Sequence, residues 1–316
     1  MRCVQYDRFG DESVLQVRDA PDPRPATGEV QVRVSFASLN PVDFKLRAGL
    51  LRFIGKPARP AITGKDFAGT ITAIAMGVRG FHPGQRVFGS VNPMGGAGAC
   101  AEFVALGTDL LAPIPEGVSD EVAACLPVAS GTAYQALVTH ARLRAGQSVL
   151  VTGASGGVGS GAVQIAKSLG ARVTGVCSTS NVEYVRSLGA DEVVDYRSQD
   201  WRAAGAVYDV VFDAAGSSSF SAARAHLAPA GWYINTYPPP SLMLAAPFVR
   251  LFSRQRAVPF MLKTTTAQLG ELGRLAATGV LRPRIARTVG LEEVAAAQRD
   301  MKDGKVHGKV CVRVAA

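Results

Sequence analysis

The sequence of 316 residues predicts an α/β fold in which a partly closed β-barrel is joined to a doubly wound parallel sheet. Two observations lead to this prediction. Residues 148–181 show the pattern of a strand, a glycine turn, a helix and a second strand, which together form one βαβ unit. Residues 1–118 instead contain short segments of alternating polarity that are separated by proline and glycine, a pattern typical of antiparallel barrels.

The βαβ unit begins with Ser148 to Thr152, a β-branched run typical of a strand that is buried on both faces. Three glycines follow at regular spacing, namely Gly153, Gly156 and Gly159. An apolar helical stripe comes next and ends at Gly170, because glycine is the residue preferred just beyond a helix. A second β-branched strand, Arg172 to Cys177, completes the unit.

The glycines and the helix behind them predict a dinucleotide site. One glycine permits the tight turn out of the strand, another lets the backbone approach a pyrophosphate, and a third lets the helix pack on the sheet. The phosphates would bind at the helix N-terminus, where unpaired N–H groups and the helix dipole favour an anion. The alternative is an ordinary strand–helix turn without a ligand, but the flanking strand and helix favour the dinucleotide.

The end of the second strand favours NADP(H) over NAD(H). An NAD site usually carries Asp or Glu about 20 residues after the first glycine, where it bonds the ribose 2′-hydroxyl. Here the next acid after the strand is Glu183, and the 178–181 loop carries hydroxyl and amide groups but no Lys or Arg. We predict that four side chains surround the 2′-phosphate, namely Ser178, Ser180, Asn181 and Tyr196.

The composition argues against several classes of protein. The hydrophobic content of 47% is sufficient for a buried core, and no apolar run approaches the ~20 residues of a membrane-spanning helix. The first residues lack the apolar segment of a signal peptide, so we expect a soluble, cytoplasmic protein. The net charge of +9 is scattered rather than interleaved with aromatic residues, which argues against nucleic acid and for a small-molecule substrate. The 5 cysteines and 4 histidines show no metal-ligand spacing.

The remaining pattern divides the chain into two domains. From about residue 119, helical segments replace the short β segments, and six parallel strands are predicted between residues 148 and 262. The tail regains β character, which suggests that it returns to the N-terminal domain. We therefore predict one domain from residues 1–119 plus 264–316, and a nucleotide-binding domain from residues 120–263.

An apolar segment with basic residues at its edge occupies residues 238–259. Such a segment can line a substrate pocket, pair two subunits or touch a membrane. Pro247 argues against a long helix lying on a membrane. The sequence therefore favours a subunit contact or a pocket lid, without stable membrane insertion.

Four motifs, together with this order of domains, resemble those of the medium-chain dehydrogenase/reductases. The motifs are residues 37–43 (ASLNPVD), 64–69 (GKDFAG), 83–89 (PGQRVFG) and 153–159 (GASGGVG). The resemblance extends over nearly the whole chain. It implies a GroES-like barrel domain, a Rossmann domain that binds the nucleotide, and a homodimer.

The chain differs from the zinc-dependent members of this family at the positions of their metal ligands. Zinc-dependent alcohol dehydrogenases of this family carry Cys where Asn40 stands, and His-Glu where Lys65 and Asp66 stand. They also carry a four-cysteine lobe where residues 92–100 contain a single cysteine. Neither asparagine nor a protonated lysine is a useful zinc ligand, so we expect no metal and a structural Lys65–Asp66 pair instead. The chain thus resembles the zinc-independent quinone oxidoreductase branch, in which NADPH delivers a hydride to a quinone or an α,β-unsaturated ketone.

The resemblance also implies roles for individual residues. Asn40 is expected to act as an amide donor to the nicotinamide or the acceptor oxygen, and Thr132 is expected to lie beside the nicotinamide. Lys45 stands near the position of a tyrosine found in many quinone reductases; it can stabilise negative charge on the acceptor, or it can be a solvated partner of Asp43. The residues implied for the rest of the cofactor are Gly153, Ser155, Gly156, Gly157, Val158, Gly159, His307, Gly308 and Lys309.

Two other functions remain open at this stage. An alkenal or enoyl reductase would use the same cofactor but would yield a saturated carbonyl compound rather than a hydroquinone. A regulator that binds NADPH without turnover would keep the same glycine turn, because a fold does not fix its function.

Overall fold

A computed structural model of the protein describes residues 1–51, 58–92, 94, 96–203 and 205–314, apart from the side chain of Arg250. The chain forms two compact units, Met1–Gly131 with Thr264–Ala316, and Thr132–Lys263. The sequence places the boundary at residues 119 and 120, whereas the helix that begins at Asp120 packs on strands of the first unit. The first part of this unit therefore ends at Gly131 rather than at residue 119.

The described strands, in chain order, are β1 (Arg2–Tyr6), β2 (Gln16–Asp19), β3 (Glu29–Leu39), β4 (Ala61–Ile62), β5 (Asp66–Ile74), β6 (Arg86–Ser90), β7 (Phe103–Gly107), β8 (Leu111–Pro113), β9 (Ser148–Thr152), β10 (Arg172–Cys177), β11 (Glu192–Asp195), β12 (Tyr208–Asp213), β13 (Leu227–Asn235), β14 (Arg256–Pro259), β15 (Ile285–Val289) and β16 (Lys309–Arg313). The described α-helices are α1 (Pro41–Arg47), α2 (Asp120–Ala124), α3 (Pro127–Tyr134), α4 (Gly157–Ser168), α5 (Val182–Ser187), α6 (Phe220–Ala223), α7 (Pro240–Phe252), α8 (Thr266–Ala277) and α9 (Val294–Lys302). A π-helix, Gln135–His140, continues α3.

The first unit contains the predicted β-rich domain, and its largest sheet is built around the long strand β3. One edge of β3 pairs with β5, while the other edge pairs with β7 near the start of β3 and with β16 near its end. Alternate residues of β3, Val30, Val32 and Val34, are fully buried, as the period of two in the sequence predicts. Because β16 is the last strand of the chain, the predicted return of the tail to the N-terminal domain is confirmed.

The second unit is the Rossmann domain. Its six strands pair in parallel in the order β11-β10-β9-β12-β13-β14, which confirms the predicted doubly wound sheet. The strand order reverses between β9 and β12, and a sheet of this kind binds its ligands beyond the carboxyl ends of the strands at that point.

Most of the apolar segment forms the helix α7. The helix runs for 13 residues with Pro247 inside it. A proline removes one helical hydrogen bond, the one to the carbonyl four residues earlier. Pro247 and Met243 are both exposed, so water can satisfy that carbonyl and the helix continues. Over the described residues, no helix has the length and apolar character needed to cross a membrane.

Candidate active site

The glycine turn between β9 and α4 has the geometry that its sequence predicts. Gly153 adopts φ +62°, a conformation that favours glycine, and its carbonyl accepts the Gly156 N–H at 2.9 Å. A Cβ at Gly159 would lie 2.1 Å from the Gly153 oxygen, so only glycine lets the first turn of α4 pack against this loop. Two of the three glycines are therefore required by the local backbone.

The start of α4 can hold an anion. Gly156 is the N-cap residue, is exposed, and an added Cβ there would meet only the Gly153 oxygen, at 3.4 Å. The first N–H groups of a helix have no intrahelical acceptor. Ser155, Gly157 and Val158 lie in this same turn and are partly exposed. The residues present thus fit a pyrophosphate at the helix N-terminus.

Three of the side chains predicted for the 2′-phosphate, Ser178, Ser180 and Asn181, lie together at the end of β10, and the backbone of Tyr196 bonds to that end. The Asn181 amide donates to the Ser178 hydroxyl at 2.9 Å and to the Ser180 hydroxyl at 3.4 Å. The Tyr196 side chain is 58% exposed and its backbone N–H donates to the Cys177 carbonyl at 3.0 Å. These hydroxyl and amide groups form one small polar cluster beside the end of the strand.

A carboxylate that the sequence interpretation missed lies beside this loop. Asp195 is aligned with Cys177 in the parallel pairing of β11 with β10. Its carboxylate accepts the Thr179 hydroxyl at 2.6 Å, and this bond is the main reason that the pKa of Asp195 is lowered. Asp195 was missed because it is far from Cys177 in the sequence. The predicted parallel pairing of the two strands could have indicated it, since that pairing brings their carboxyl ends together.

In the first unit, Asn40 lies at the centre of a buried polar cluster, which we call the Asn40 cluster: Asn40, Asp43, Asp66 and Lys309. The Asn40 amide nitrogen donates to Asp66 Oδ2 at 2.9 Å, and its amide oxygen accepts from Lys309 Nζ at 2.6 Å. The Asn40 backbone N–H donates to Asp43 Oδ2 at 2.7 Å at the start of α1. The strands on either side of β3, β5 and β16, supply Asp66 and Lys309, while Asn40 and Asp43 lie where β3 leads into α1.

The carboxyl groups of the Asn40 cluster have perturbed pKa values. Burial raises the pKa of Asp66, and the nearby Lys309 ammonium, whose Nζ lies 4.0 Å from Asp66 Oδ2, opposes that rise most strongly. Asp66 also accepts the Val128 backbone N–H at 3.1 Å. Burial raises the pKa of Asp43 to about 7, although its bond from the Asn40 N–H acts against this. A proton therefore binds Asp43 near neutral pH.

The expected Lys65–Asp66 pair is not what the structure shows. The ammonium group that forms the ion pair with Asp66, among the described residues, belongs to Lys309 on the last strand. The β16–β3 and β3–β5 pairings bring Lys309 to Asp66, and sequence adjacency does not. Over the described part of the chain, no cluster of three or more His, Cys, Asp or Glu side chains is suited to a metal ion.

Lys45 lies on α1, two residues after Asp43 of the Asn40 cluster. It is half-buried, and this burial lowers the pKa of its ammonium group to about 8. The helix is held by the buried Arg47, which donates to Gln298 Oε1 at 2.9 Å and to the Gly10 carbonyl at 2.9 Å. Lys45 is thus an amine that can release a proton near neutral pH from a well-anchored helix.

The other predicted residues lie in separate places. Thr132 is buried in α3. His307 is exposed before β16, and Gly308 has φ +127° with its Cα so close to β15 that a Cβ would lie 2.5 Å from the Arg284 oxygen. The side chain of Lys309 points into the first unit, where it bonds Asn40 and the Leu39 carbonyl. The side-chain role of Lys309 was therefore missed by the sequence interpretation.

Comparisons with known proteins agree with this geometry. Residues 26–116 match the family model "Alcohol dehydrogenase GroES-like domain", and residues 188–312 match the model "Zinc-binding dehydrogenase". A chloroplast envelope quinone oxidoreductase homolog of Arabidopsis thaliana is 34% identical over 323 aligned positions, which cover 99% of this chain and 98% of that protein. A 2-methylene-furan-3-one reductase of Solanum lycopersicum is 34% identical over 226 positions, which cover 68% of this chain and 57% of the relative.

Among solved structures, the quinone oxidoreductase of Coxiella burnetii superposes with a TM-score of 0.90 at 28% identity, and covers 100% of this chain and 99% of its own. The Arabidopsis thaliana relative and the Coxiella burnetii structure cover 99% and 100% of this chain, so each match extends over both units. The chain therefore belongs to the medium-chain dehydrogenase/reductase superfamily and, within it, to the quinone oxidoreductase branch.

Proposed function

We propose that the protein is a zinc-independent, NADPH-dependent oxidoreductase that transfers a hydride to a quinone or an α,β-unsaturated ketone. The observation that carries this proposal is the glycine turn before α4, in which Gly159 is required by packing and Gly156 leaves the helix N-terminus open. The choice of acceptor is supported by relatives that are named quinone oxidoreductases and a furanone reductase.

NADP(H) is proposed over NAD(H) because of the side chains at the end of β10. Ser178 and Ser180 offer hydroxyl donors to a 2′-phosphate, and the buried Asn181 supports both hydroxyls by donating its amide N–H groups to them. Asp195 opposes this choice, since its carboxylate lies one hydrogen bond away from the loop, at Thr179. Arg197 next to it can offset that charge, because its positive charge contributes to lowering the pKa of Asp195 and its backbone N–H donates to Asp195 Oδ1 at 3.0 Å.

The proposed roles of this chain's residues follow from their chemistry. A bound NADPH would supply the hydride, and its nicotinamide ring would be left oxidised and positively charged. The pyrophosphate binds Ser155, Gly156, Gly157 and Val158, and the His307–Lys309 backbone and Thr132 are proposed for the nicotinamide half. Asn40 donates an N–H to the nicotinamide or acceptor oxygen. Lys45, protonated below a pKa of about 8, donates a proton or stabilises negative charge on the acceptor oxygen.

Zinc independence is proposed on the donor set of the Asn40 cluster. Catalytic zinc needs three protein ligands and an open position. Here an amide is hydrogen-bonded to a carboxylate and to an ammonium group in the corresponding place, and an ammonium group cannot bind a cation. These residues do not fit zinc. A metal assay of the purified protein is expected to find no stoichiometric zinc, and one zinc per chain would contradict the proposal.

Two alternatives are kept. An enoyl or alkenal reductase is favoured by the name of the Solanum lycopersicum relative, and its product would be a saturated carbonyl compound. A non-catalytic NADPH-binding regulator would also keep the glycine turn. Product analysis distinguishes the first alternative, whereas tight NADPH binding without turnover would indicate the second.

The test is NADPH consumption by the purified protein with an ortho-quinone and with a small conjugated enone, each product being identified, and with NADH in parallel. We expect turnover with one or both acceptors, faster with NADPH. The Lys45→Met variant is expected to lose the decline in kcat/KM that the native protein shows as pH rises through about 8, because protonated Lys45 is lost there. A pH profile unchanged by Lys45→Met would exclude this role for Lys45.

Two further properties are proposed on general grounds. We expect a homodimer, as the resemblance to the superfamily implies, and size-exclusion chromatography with light scattering measures this directly. A cytoplasmic location is also proposed, although the relative in Arabidopsis thaliana is named as a chloroplast envelope protein. Cell fractionation of the source organism tests the location.

A further inference from the structure

Lys309 is buried far more completely than a lysine usually is. Its side chain is 4% exposed, and its ammonium group donates to Asn40 Oδ1 at 2.6 Å and to the Leu39 carbonyl at 3.0 Å. The third neighbour is the Asp66 carboxylate at 4.0 Å. A charged group is stable in such a place only when it is paired and hydrogen-bonded. The contacts show that the pairing is made with the Asn40 amide and with Asp66.

These two partners determine which way the Asn40 amide faces. A lysine ammonium group can only donate, so the amide oxygen must face Lys309. An ionised carboxylate can only accept, so the amide nitrogen must face Asp66, as its 2.9 Å bond shows. The second N–H of Asn40 has only a 3.5 Å contact with the Ser38 carbonyl, which is longer than an ordinary N–H···O bond. One donor of Asn40 is thus left weakly held but fixed in direction.

We propose that Lys309 is a positioning residue, which holds the Asn40 amide against Asp66 so that one N–H of Asn40 is presented to the reacting group. This inference rests on the proposed function, in which Asn40 donates to the nicotinamide or the acceptor oxygen. It assigns to the last strand of the fold a role in the reaction that the glycine turn and the family models do not describe.

The charge of Lys309 is part of this role, as well as its bond. The charged groups around Asp66 are Lys309, Lys65 and Asp43, and Lys309 acts most strongly to keep Asp66 ionised against its burial. A protonated Asp66 would present an O–H to Asn40 and would favour the opposite amide orientation, which Lys309 forbids. Removing the ammonium group therefore releases the amide in two ways, by loss of the bond and by protonation of Asp66.

The test compares Lys309→Met with Lys305→Met in the full-length protein. Lys305 is a matched control on the same tail, since its side chain is 64% exposed and pairs with Asp303 at 3.2 Å. Lys309→Met is expected to lower kcat on the order of 100-fold while the KM for NADPH changes by about 3-fold or less. Lys305→Met is expected to keep native kcat. A Lys309→Met protein that unfolds more easily but keeps kcat would show a merely structural role and overturn the proposal.

A double-mutant cycle with Asn40 tests whether Lys309 acts through the amide. In the Asn40→Ala protein, adding Lys309→Met is expected to change kcat by only about 2-fold, because the group that Lys309 positions is already gone. Full additivity of the two effects would contradict the proposal. Should Lys309→Met not fold, Lys309→Gln serves in its place, since it keeps an N–H donor without the charge, and it is expected to lower kcat and to raise the pH of the acid limb of the kcat profile.

A spectroscopic readout separates this inference from the proposed function. In ¹⁵N-labelled protein, the side-chain NH₂ signals of Asn40 are expected to exchange slowly with solvent, and to shift and exchange faster in Lys309→Met or Lys309→Gln. That result would support the positioning even if the native protein turned over no acceptor, an outcome which would overturn the function alone. Unchanged Asn40 signals in an active enzyme would overturn the positioning alone.

Discussion

The glycine turn of the second unit and the Asn40 cluster of the first unit achieve a fixed geometry by opposite means. The turn depends on side chains that are absent, since a Cβ at Gly159 would lie 2.1 Å from the Gly153 oxygen. The cluster depends on side chains that satisfy one another, since Asn40 is bonded at one end to Asp66 and at the other to Lys309. We therefore expect an added side-chain atom to disrupt the turn, and the loss of a charged group to disrupt the cluster.

The largest effect is expected from Asp66→Ala. This change leaves the Lys309 ammonium group buried without its carboxylate, and breaking a buried ion pair from one side typically costs about 3–5 kcal/mol in the free energy of unfolding. Urea denaturation measures the loss. Asp200→Ala is the control, because the Asp200–Arg202 pair is exposed and its loss should leave stability almost unchanged. Equal effects of the two variants would show that the cluster does not behave as a buried ion pair.

A smaller loss, about 1–3 kcal/mol, is expected from Gly159→Ala, because the added Cβ forces the loop away from the start of α4. Gly156→Ala is the matched control in the same turn. Its Cβ would make only an ordinary contact at 3.4 Å, and its φ of −76° suits alanine. We therefore expect Gly156→Ala to fold normally but to bind NADPH more weakly, as titration of cofactor fluorescence would show. Tight binding by Gly156→Ala would place the pyrophosphate elsewhere.

The pH dependence of stability is expected to change in Asp43→Asn. Burial raises the pKa of Asp43 from 3.8 to about 7, so the folded protein binds a proton that the unfolded chain has lost. The free energy of unfolding contributed by this group therefore falls as pH rises from about 4 to about 7. In Asp43→Asn this decline should disappear, while the amide oxygen can still accept the Asn40 N–H. Parallel stability curves for the two proteins would contradict the assignment.

The smallest effect is expected from Asp195→Asn, which removes the carboxylate beside the 178–181 loop. If a 2′-phosphate binds there, the ratio of kcat/KM for NADPH to that for NADH should rise by about fivefold. Glu192→Gln removes an exposed acid from the same strand and serves as the control. An unchanged ratio in Asp195→Asn would place the 2′-phosphate away from this loop.

The contrast between the two regions also explains which features could be predicted from the sequence. Gly153, Gly156 and Gly159 stand within a single turn, so their roles follow from local rules for a strand, a turn and a helix. The same rules predicted the six parallel strands, because each is a short apolar segment in the sequence and most contain adjacent β-branched residues. Local patterns are sufficient where neighbours in space are also neighbours in sequence.

The Asn40 cluster was predicted only in part because its contacts are long-range. Asn40 is separated from Asp66 by 26 positions and from Lys309 by 269 positions, and strand pairing alone brings the three together. Asp195 was missed for the same reason, since it reaches Thr179 through the register of β11 on β10. A resemblance in motifs identified Asn40, but it could not show that the last strand supplies its partner.

The most direct measurement for the proposed function is the fate of a deuterium label. The purified protein would be incubated with a conjugated enone and NADPH deuterated at the transferable position of the nicotinamide, and the product would be analysed by mass spectrometry. Direct hydride transfer predicts one deuterium on the β-carbon of a saturated ketone. An unlabelled product, or no product despite demonstrable NADPH binding, would contradict hydride transfer to this acceptor. If an ortho-quinone also gave no turnover, the proposal that the protein is an enzyme would be contradicted.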